Sequence, residues 1–518
     1  MKRLVTFFLV CFLTSEAQYD FKWLSKERIS EYAFGRCISI GPEGSVYLSG
    51  NFKGNFRSSD SMVMGEFLSR YDKAGTLLWH KEFYSPYKRK AELLTVCDKK
   101  GNVFMAGESI NRQMFRKYSS EGDLVFSKEI PKHGSAKAIC LDSQNNILLA
   151  GYSPSLIPFE GQQLTSNTFI AKYQPDGTFL WVKPFFIEYL SPDNSFDMVV
   201  DEQNYIYTTG NYRSSLDFAP GVQFEKPRAG DGFVAKYNQE AELIWVEKIS
   251  GENSQYPTSI TINKKGDVFV AGYYSNALVM GTYTAEPSRG SADAFVAKYS
   301  NNGGFQWVRT GGSRATEYCH EIYADNADNV FVIGGFNYSL DPTFGDQVLQ
   351  AGNKYGYNLL LLHYKSDGSL ISARCSEGPD PCGGEGYYVT GDGNGSLYIS
   401  GIFAGDHRFI NSYANAANEA FVMKFSYDPG NSTGTGGINR ILHELQLFPN
   451  PTPGPFSVAS DSERQIEVRM IDATGRIVFS KSIDDTAAPI DPGPLTRGIY
   501  LVEVLCGEQK SIKKLVVQ

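Results

Sequence analysis

The chain has 518 residues, of which 42% are apolar, 14% are aromatic and 51 are glycine. This composition excludes a disordered chain and is typical of an all-β protein rich in turns, and no long stretch shows the apolar period of a helix. The formal charge of −8 at pH 7 and the even scatter of lysine and arginine provide no basic patch for phosphates, so no nucleic-acid partner is predicted.

The amino terminus has the pattern of a signal peptide over residues 1–17. Lys2 and Arg3 precede an apolar run, and small residues stand at Ser15 and Ala17, the two positions that a signal peptidase reads. We expect cleavage between Ala17 and Gln18. The alternative, a short membrane anchor, would need about twice this apolar length, and no other segment approaches a transmembrane span.

Two sequence elements recur seven times within residues 18–428. The first element consists of turn residues, an apolar strand and a closing glycine, as in DKKGNVFMAG and NKKGDVFVAG. The second element is a short strand that ends in an aromatic residue, as in FVAKYN and FVAKYS. A phrase with tryptophan, such as LIWVEKI, closes most copies. Asp, Asn and Gly at the joints favour tight hairpin turns, so each copy predicts a four-stranded antiparallel unit. The closing glycines of the first element are Gly50, Gly107, Gly151, Gly210, Gly272, Gly334 and Gly401.

The stretch DFKWLSKE at residues 20–27 has the form of a fourth strand, although no repeat precedes it, and the seventh copy stops at AFVMKFS without one. We therefore predict that the strand of Trp23 pairs antiparallel with AFVMKFS and closes a ring of repeats, because an open array would expose two unpaired edges. The predicted fold class is all-β: a seven-bladed β-propeller closed by the N-terminal strand, plus a small C-terminal β-sandwich.

The repeated units closely resemble the SBBP (seven-bladed β-propeller) repeats, whose pattern joins VYVTG, FVAKY and G-x-L-x-W. The resemblance spans residues 18–428. It implies a propeller fold and usually an extracellular setting, and it implies no single reaction.

The composition changes after residue 428. Residues 429–444 form a Gly/Ser/Thr-rich linker of the flexible kind, and residues 445–518 read as short strands separated by turns. These phrases closely resemble the type A carboxy-terminal sorting domain of the type IX (Por) secretion system of Bacteroidota. The alternative is a carbohydrate-binding or fibronectin-like module. The residues that carry the resemblance are Pro449, Asn450, Pro451, Asp472, Gly475, Gly498 and Tyr500.

The sorting-domain resemblance implies the type IX secretion machinery as a partner. It also implies passage across the outer membrane after periplasmic export, and a mature protein that is secreted or held at the outer cell surface.

No constellation of residues predicts catalysis, a cofactor or a metal. The six histidines have no metal-binding spacing, and the Asp that recurs in the first hairpin of five copies is explained by turn formation. DNADN at 325–329 is the only cluster dense enough for calcium. Cys375 and Cys382 bracket a loop outside the repeat pattern and are a candidate disulfide in an oxidising compartment.

The recurring cation of the third strand and the tryptophans are interpreted as structural. The lysine and arginine stems should cover aromatic rings while their charged ends stay in water. The tryptophans should anchor the packing between units. The cations are Arg70, Lys117, Lys172, Lys236, Lys298 and Lys424, and His363 takes this place in the sixth copy.

Two classes of function remain. The first is a binding or scaffold protein for a glycan or protein ligand, which would use the face that carries the loops between units and the loops between second and third strands. The second is a polysaccharide hydrolase or lyase with carboxylates over the channel. Several carboxylates around one pocket would favour the enzyme, and a shallow aromatic surface would favour binding.

Overall fold

A computed structural model of the chain describes residues 19–27, 32–55, 62–85, 93–109, 112–129, 135–152, 159–162, 164, 166, 168–185, 195–337, 341–350, 356–376, 383–409, 412–427, 446–448, 457–459, 466–472, 476–483, 490–493, 496–506 and 509–517. These residues divide into two compact units, one within 19–427 and one within 446–517. The predicted cleavage site at Ala17 and Gln18 and the predicted linker 429–444 lie outside the described residues. No described segment forms a helix of the length and apolarity needed to cross a membrane.

The first unit is all-β and antiparallel. It opens with β1 (Tyr19–Glu27). Sheet 1 consists of β2 (Tyr32–Ile40), β3 (Val46–Asn55), β4 (Met62–Tyr71) and β5 (Leu77–Ser85), with one 3-10 turn at Pro42–Gly44. Sheet 2 consists of β6 (Leu94–Cys97), β7 (Val103–Ser109), β8 (Arg112–Tyr118) and β9 (Leu124–Glu129). Sheet 3 consists of β10 (Ser135–Leu141), β11 (Ile147–Tyr152), β12 (Thr168–Tyr173) and β13 (Phe179–Phe185).

The next sheets carry added hairpins. Sheet 4 is built on β14 (Phe196–Val200), β15 (Ile206–Tyr212), β18 (Asp231–Tyr237) and β19 (Leu243–Ser250), with β16 (Leu216–Ala219) and β17 (Val222–Phe224) as a separate hairpin. Sheet 5 is built on β20 (Gln255–Ile262), β21 (Val268–Tyr274), β24 (Asp293–Tyr299) and β25 (Phe305–Gly312). The hairpin β22 (Val279–Met280) and β23 (Tyr283–Thr284) pairs with β19 of sheet 4. It thereby covers part of an edge that would otherwise be open.

Sheet 6 consists of β26 (Glu317–Ala324), β27 (Asn329–Asn337), β30 (Tyr357–Lys365) and β31 (Leu370–Cys375), and its hairpin β28 (Thr343–Phe344) and β29 (Gln347–Val348) pairs with β25 of sheet 5. Sheet 7 consists of β32 (Gly383–Gly391), β33 (Ser396–Phe409), β34 (Ser412–Tyr427) and β1. Three strands of sheet 7 therefore come from the end of the unit and one from its beginning.

The strand β1 pairs antiparallel with β34, which is the pairing expected for DFKWLSKE and AFVMKFS. Trp23 lies opposite Lys424, and Tyr19 lies opposite Tyr427. The Tyr19 hydroxyl lies 2.9 Å from Nδ1 of His363 in sheet 6. Lys26 forms an ion pair with Glu419 at 3.3 Å. The strand is held by side chains as well as by the backbone ladder.

Successive sheets share apolar cores. The first strand of each sheet neighbours the first strand of the next, and β32 of sheet 7 neighbours β2 of sheet 1. One cluster combines Val46 and Phe67 of sheet 1 with Tyr398 and Val422 of sheet 7, and Trp23 packs against it. Sheet 7 thus contacts sheet 1 as well as sheet 6, with which it shares a second cluster.

The tryptophans bridge neighbouring sheets, as the repeat pattern predicted. Trp23 Nε1 donates a hydrogen bond of 3.0 Å to Lys73 O in the last hairpin of sheet 1. Trp79, Trp245 and Trp307 make the same bond to the corresponding hairpin of the following sheet. In each case the ring lies against a hairpin glycine of positive φ, such as Gly75 under Trp23, where a side chain would find no room.

The recurring third-strand cations lie against aromatic rings, but the expectation that their charged ends stay in water is wrong. Lys117 Nζ lies 4.9 Å from the Phe104 ring centroid and donates to Pro175 O at 2.8 Å. Lys298 Nζ donates to Ser366 O and pairs with Asp267 at 2.8 Å. Lys236 is only 6% exposed. The hairpin of the following sheet supplies the acceptors that replace water, which the sequence of one repeat could not show.

His363 occupies the cation position in sheet 6 and is buried at 2% exposure. Its ring stacks on Phe331 at 4.2 Å, and its Nε2 lies 3.1 Å from Asn329 Oδ1. Burial, together with the charge of Lys365, lowers the pKa of His363 to about 3. The folded unit therefore holds a neutral imidazole in contact with Tyr19 of β1.

We expect this imidazole to make the first unit acid-sensitive. Between pH 6.5 and about 3 an unfolded histidine binds a proton that the folded one does not, so stability falls as the pH drops through this window. The full penalty is roughly 5 kcal/mol. Urea unfolding of wild type and His363→Gln from pH 7.5 to 3.5 checks this: the stability difference between them should change in favour of the variant as the pH falls. Parallel pH profiles would contradict the assignment.

The second unit contains two antiparallel sheets. A hairpin pairs β35 (Gln446–Phe448) with β36 (Ser457–Ala459), and a four-stranded sheet has the order β38, β37, β39, β40, formed by β37 (Ile466–Ile471), β38 (Ile477–Ile483), β39 (Gly498–Cys506) and β40 (Gln509–Val517). Asp472 Oδ1 accepts the backbone N–H of Arg476, which turns the chain between β37 and β38. Gly498 begins β39, and the buried Tyr500 donates its hydroxyl to Thr496 O at 2.8 Å. Pro449, Asn450, Pro451 and Gly475 lie outside the described residues.

Candidate ligand-binding site

One irregularity recurs at the same end of the first strands. In sheets 1, 3, 5, 6 and 7 the pairing of first and second strands shifts by one residue near the start of the first strand. Such a bulge leaves one residue outside the ladder and re-aims its side chain. The residues at the shift are Arg36, Lys137, Thr258, His320 and Tyr387.

The repeated glycine of the sequence lies opposite this bulge. Gly334 pairs with Cys319, and a Cβ at Gly334 would lie 1.9 Å from the carbonyl oxygen of Tyr318. A Cβ at Gly401 would meet the carbonyl oxygen of Glu385 at the same distance. Only glycine tolerates this close approach. The glycine of the repeat and the half-buried bulge residue are therefore two parts of one backbone arrangement.

Half-buried rings from sheets 5, 6, 7 and 1 form a continuous series at this end, which we call the aromatic arc. Tyr256 and Tyr273 stack at 4.9 Å, and Tyr273 contacts Tyr318 at 6.3 Å. His320 lies between Tyr318 and Tyr387, at 5.2 and 5.3 Å. Tyr387 contacts Phe34 at 6.3 Å, and the exposed Tyr357 adjoins Tyr318. The arc consists of Tyr256, Tyr273, Tyr318, His320, Tyr387 and Phe34.

Glu385 is the carboxylate bound within the arc. Its Oε1 lies 2.8 Å from Nε2 of His320, and its Oε2 accepts the hydroxyl of Tyr387 at 2.6 Å. Burial favours the neutral acid, but the hydrogen bonds from His320 and Tyr387 and the nearby charge of Arg36 outweigh it and lower the pKa of Glu385. The group is therefore a charged acceptor whose two oxygens are both in use.

The hydroxyls of Tyr273, Tyr318 and Tyr387 stay protonated at neutral pH. Burial raises the pKa of Tyr273 to about 12. Burial and the charge of Glu385 raise the pKa of Tyr318 and Tyr387 well above the usual range. These groups act as hydrogen-bond donors, as Tyr318 does to Asn337 Oδ1 at 3.1 Å, and are unsuited to remove a proton from a substrate.

An arginine stands at each end of the arc. The guanidinium of Arg36 lies 4.0 Å from the ring centroid of Tyr387 and 5.1 Å from that of Phe34. At the other end the Nη2 of the exposed Arg213 donates to the hydroxyl of Tyr256. The arc is therefore an aromatic surface with a cation at both ends.

Two further acids lie on first strands: Glu321 directly follows the bulge residue His320, and Asp197 lies in sheet 4, whose first strand pairs without a shift. Asp197 Oδ2 accepts the hydroxyl of Ser259 and the backbone N–H of Ile260, both at 2.9 Å. Burial raises the pKa of Asp197, and burial together with the charge of Asp197 raises that of Glu321. Both acids are bound to structural partners around Ser259 rather than to groups of the arc.

The residues singled out by the sequence lie elsewhere. Trp23 bridges sheets 7 and 1. The Sγ of Cys375 lies 3.6 Å from Gln350 O, and Cys382 is outside the described residues, so their disulfide stays a prediction. In DNADN, the carboxylate of Asp325 accepts hydrogen bonds from the Asn329 side-chain amide and the Tyr427 hydroxyl, and Asp328 forms an ion pair with Lys265. Across the described ranges no three His, Cys, Asp or Glu side chains are placed to hold a metal.

Sequence reasoning missed the arc. Tyr256, Tyr318 and Tyr387 belong to the phrases SQYP, TEYCH and GEGYY, which stand in front of the turn of the first element. The available signal was the place that Tyr256 and Tyr318 share with Phe34, directly before the residue that pairs with the closing glycine, and Tyr387 stands two residues later in its own copy.

Comparison with known proteins divides the chain at the same place as the structure. Residues 446–518 match the family described as the secretion system C-terminal sorting domain, which indicates export to the cell surface or the medium. The chain is 22% identical over 370 residues to an uncharacterised WD repeat-containing protein of Acanthamoeba polyphaga mimivirus. The matched segment covers 61% of this chain and a quarter (25%) of that relative's length.

Two solved structures similar to this chain are also of low identity. The WD40 domain of Neurospora crassa Pan2 is 8% identical with a TM-score of 0.42, covering 80% of this chain and 96% of that one. A streptogramin B lyase is 12% identical with a TM-score of 0.40, covering 78% of this chain and 98% of that one.

Proposed function

We propose that the first unit is a seven-bladed β-propeller of the SBBP type and that β1 closes it. Seven sheets of four or more strands stand in the described part of residues 19–427. The shared core of sheets 7 and 1 and the bond from Trp23 to Lys73 O support closure, because they repeat at the chain ends the contacts of internal neighbours. Radial repetition of this kind leaves only short edges exposed.

We propose that this propeller is a secreted or surface-held binding protein for a glycan, with the aromatic arc as its binding surface. The observation that carries the proposal is the unbroken series of half-buried rings from Tyr256 to Phe34. Aromatic faces with a polar edge combine apolar contact with hydrogen bonding, and they lose little conformational entropy on binding. A sugar ring offers C–H groups for the faces and hydroxyls for the edges.

The geometry favours binding over glycoside hydrolysis. A hydrolase uses two carboxyl groups, about 5 to 10 Å apart, with one held as an acid of raised pKa. The arc holds Glu385, whose pKa is lowered and whose oxygens are both occupied. The alternative that keeps some support is a lyase, because His320 is oriented by a carboxylate as a general base would be.

We propose that export follows the route implied by both ends of the chain. A signal peptide at residues 1–17 would lead the chain to the periplasm, and the sorting domain would take it through the type IX machinery of a member of the Bacteroidota. The match of residues 446–518 to the secretion-system sorting domain supports the second step.

Binding through the arc predicts a large loss of affinity when its central rings are removed. The purified mature chain is screened against a panel of polysaccharides for retention and for released products. For a glycan that is retained, Tyr318→Ala with Tyr387→Ala should weaken binding at least tenfold, about 1.4 kcal/mol, because central aromatic contacts dominate such surfaces.

Tyr283→Ala is the matched control, since this exposed tyrosine of β23 stacks on Phe305 and contacts no ring of the arc. It should leave affinity unchanged. Full affinity in the double variant, or no retention of any glycan, would reject glycan binding at the arc. Release of products that stops in His320→Ala would establish the lyase instead.

A further inference from the structure

The charge of the aromatic arc is opposite in sign to that of the protein. The chain carries a formal charge of −8. Among the residues that the structure describes, the arc and its two ends hold the cations Arg36 and Arg213, and the carboxylate bound to the rings is Glu385. A cationic surface on an acidic protein selects for an anionic ligand, because the rest of the molecule repels it.

Arg36 is fixed in place, and its charge acts on Glu385 without a direct ion pair. Its Nε bonds to Asn51 Oδ1 at 3.3 Å, and its plane lies over Tyr387 and Phe34. Within the ranges that the structure describes, it forms no salt bridge, because the oxygens of the nearby Glu385 are taken by His320 and Tyr387. A guanidinium held by ring stacking, with its terminal nitrogens unengaged, is suited to grip a carboxylate or sulfate in two-point fashion.

Arg213 at the other end is held differently, because its Nη2 donates to the Tyr256 hydroxyl, and a cleft with further cations lies close to it. The cleft lies between sheet 4 and the start of the β22 hairpin and is bordered by Lys226, Arg228 and Lys248, together with Asp231 and Glu252. Lys248 is paired with Asp231 at 2.7 Å, whereas Lys226 and Arg228 are exposed and form no ion pair with any described residue. The Arg213 side chain packs beside Gly230, which is two residues after Arg228 in the chain.

We infer that the ligand of the arc is an acidic polysaccharide, bound with its sugar rings on the tyrosines and its acid groups at Arg36 and Arg213. This inference rests on the proposed glycan binding. Cations at both ends of a surface built from four sheets, and beyond it at Lys226 and Arg228, fit an extended ligand whose acid groups repeat along its length. A polymer of uronic acids or sulfated sugars has this property, and a neutral glycan or a single charged sugar does not.

The test compares three polymers on the purified mature chain: polygalacturonate, which carries carboxylates, chondroitin sulfate, which also carries sulfate esters, and neutral dextran. At least one acidic polymer should bind tenfold or more tightly than dextran, and its affinity should fall as salt rises because the contacts are ionic. A preference between the two acidic polymers identifies the acid group.

Single variants assign the preference to the two arginines. Arg36→Gln and Arg213→Gln should each weaken the acidic polymer about five- to tenfold and reduce the salt dependence, while Arg36→Lys retains part of the affinity through its charge. Lys264→Gln is the control, since it removes an exposed positive charge from the β20–β21 hairpin at the opposite end of sheet 5. Thermal melting of each variant confirms that it is folded.

The outcomes separate the two proposals. Equal or better binding of dextran, or unchanged acidic binding in both arginine variants, would overturn the acidic ligand while leaving glycan binding in place if the tyrosine variants still lose affinity. Failure of every polysaccharide to bind would overturn glycan binding itself.

Discussion

Removal of residues 18–27 is expected to lower the thermal midpoint of the first unit by about 10 °C or more and to cause aggregation. The deletion would uncover the backbone edge of β34 along Phe421–Phe425, which now pairs with β1. It would also remove Trp23 from the shared core of sheets 7 and 1, and Tyr19 from its contact with His363. Loss of one core tryptophan costs about 3–5 kcal/mol, and the whole strand should cost more.

Calorimetry and light scattering measure this effect. Trp23→Ala and Trp307→Ala form an informative pair, because both indoles donate to a hairpin carbonyl of the following sheet, one at the chain ends and one at an internal boundary. Similar decreases in the thermal midpoint of the two variants would show that the boundary between the chain ends contributes as much stability as an internal boundary. Leu78→Ala, at an exposed position of β5, is the control and should melt like wild type. Melting of the deletion at the wild-type temperature would refute closure by β1.

Truncation after Gly437 is expected to reduce the amount of protein outside the cell to background, with the chain retained inside. The missing part includes residues 446–518, which match the sorting domain. Its last strand, β40, pairs along the length of β39 and buries Leu515 and Val517. The chain end is thus an ordered part of this unit.

Fractionation of an expressing host into cells, surface and medium checks the prediction. The variant with Tyr318→Ala and Tyr387→Ala is the matched control, because it alters the arc and keeps the sorting domain, so it should be exported normally. Fusion of residues 438–518 to a signal-peptide-bearing reporter should carry the reporter out. Normal export of the truncated chain would show that the sorting domain is dispensable.

The sequence by itself determined the strands, their partners within each sheet and the place of β1. Period-2 apolar runs, hairpin turns and the recurring tryptophan are local signals, and the repeat presents the first two seven times and the tryptophan five times, in the same order. The role of Trp23 could be deduced because its phrase matched four others that each followed a third strand. The sorting domain was equally visible, since its marks are short motifs in a set order.

Only the tertiary structure decided what these strands present to a ligand. The repeat glycines, such as Gly334 and Gly401, could be recognised in the sequence as the residues that close the first element. The bulges opposite them could not, because they arise from the pairing of two strands. The pairing of His320 with Glu385 and the stacking of Arg36 on Tyr387 join residues of different repeats. The predicted position of the charged ends of Lys117 and Lys298 was wrong for the same reason, because backbone carbonyls of the next sheet accept hydrogen bonds from them. A repeated sequence predicts the contacts that every unit makes within itself. A binding surface depends instead on the residues that differ between units, and only the tertiary structure shows which of these residues lie side by side.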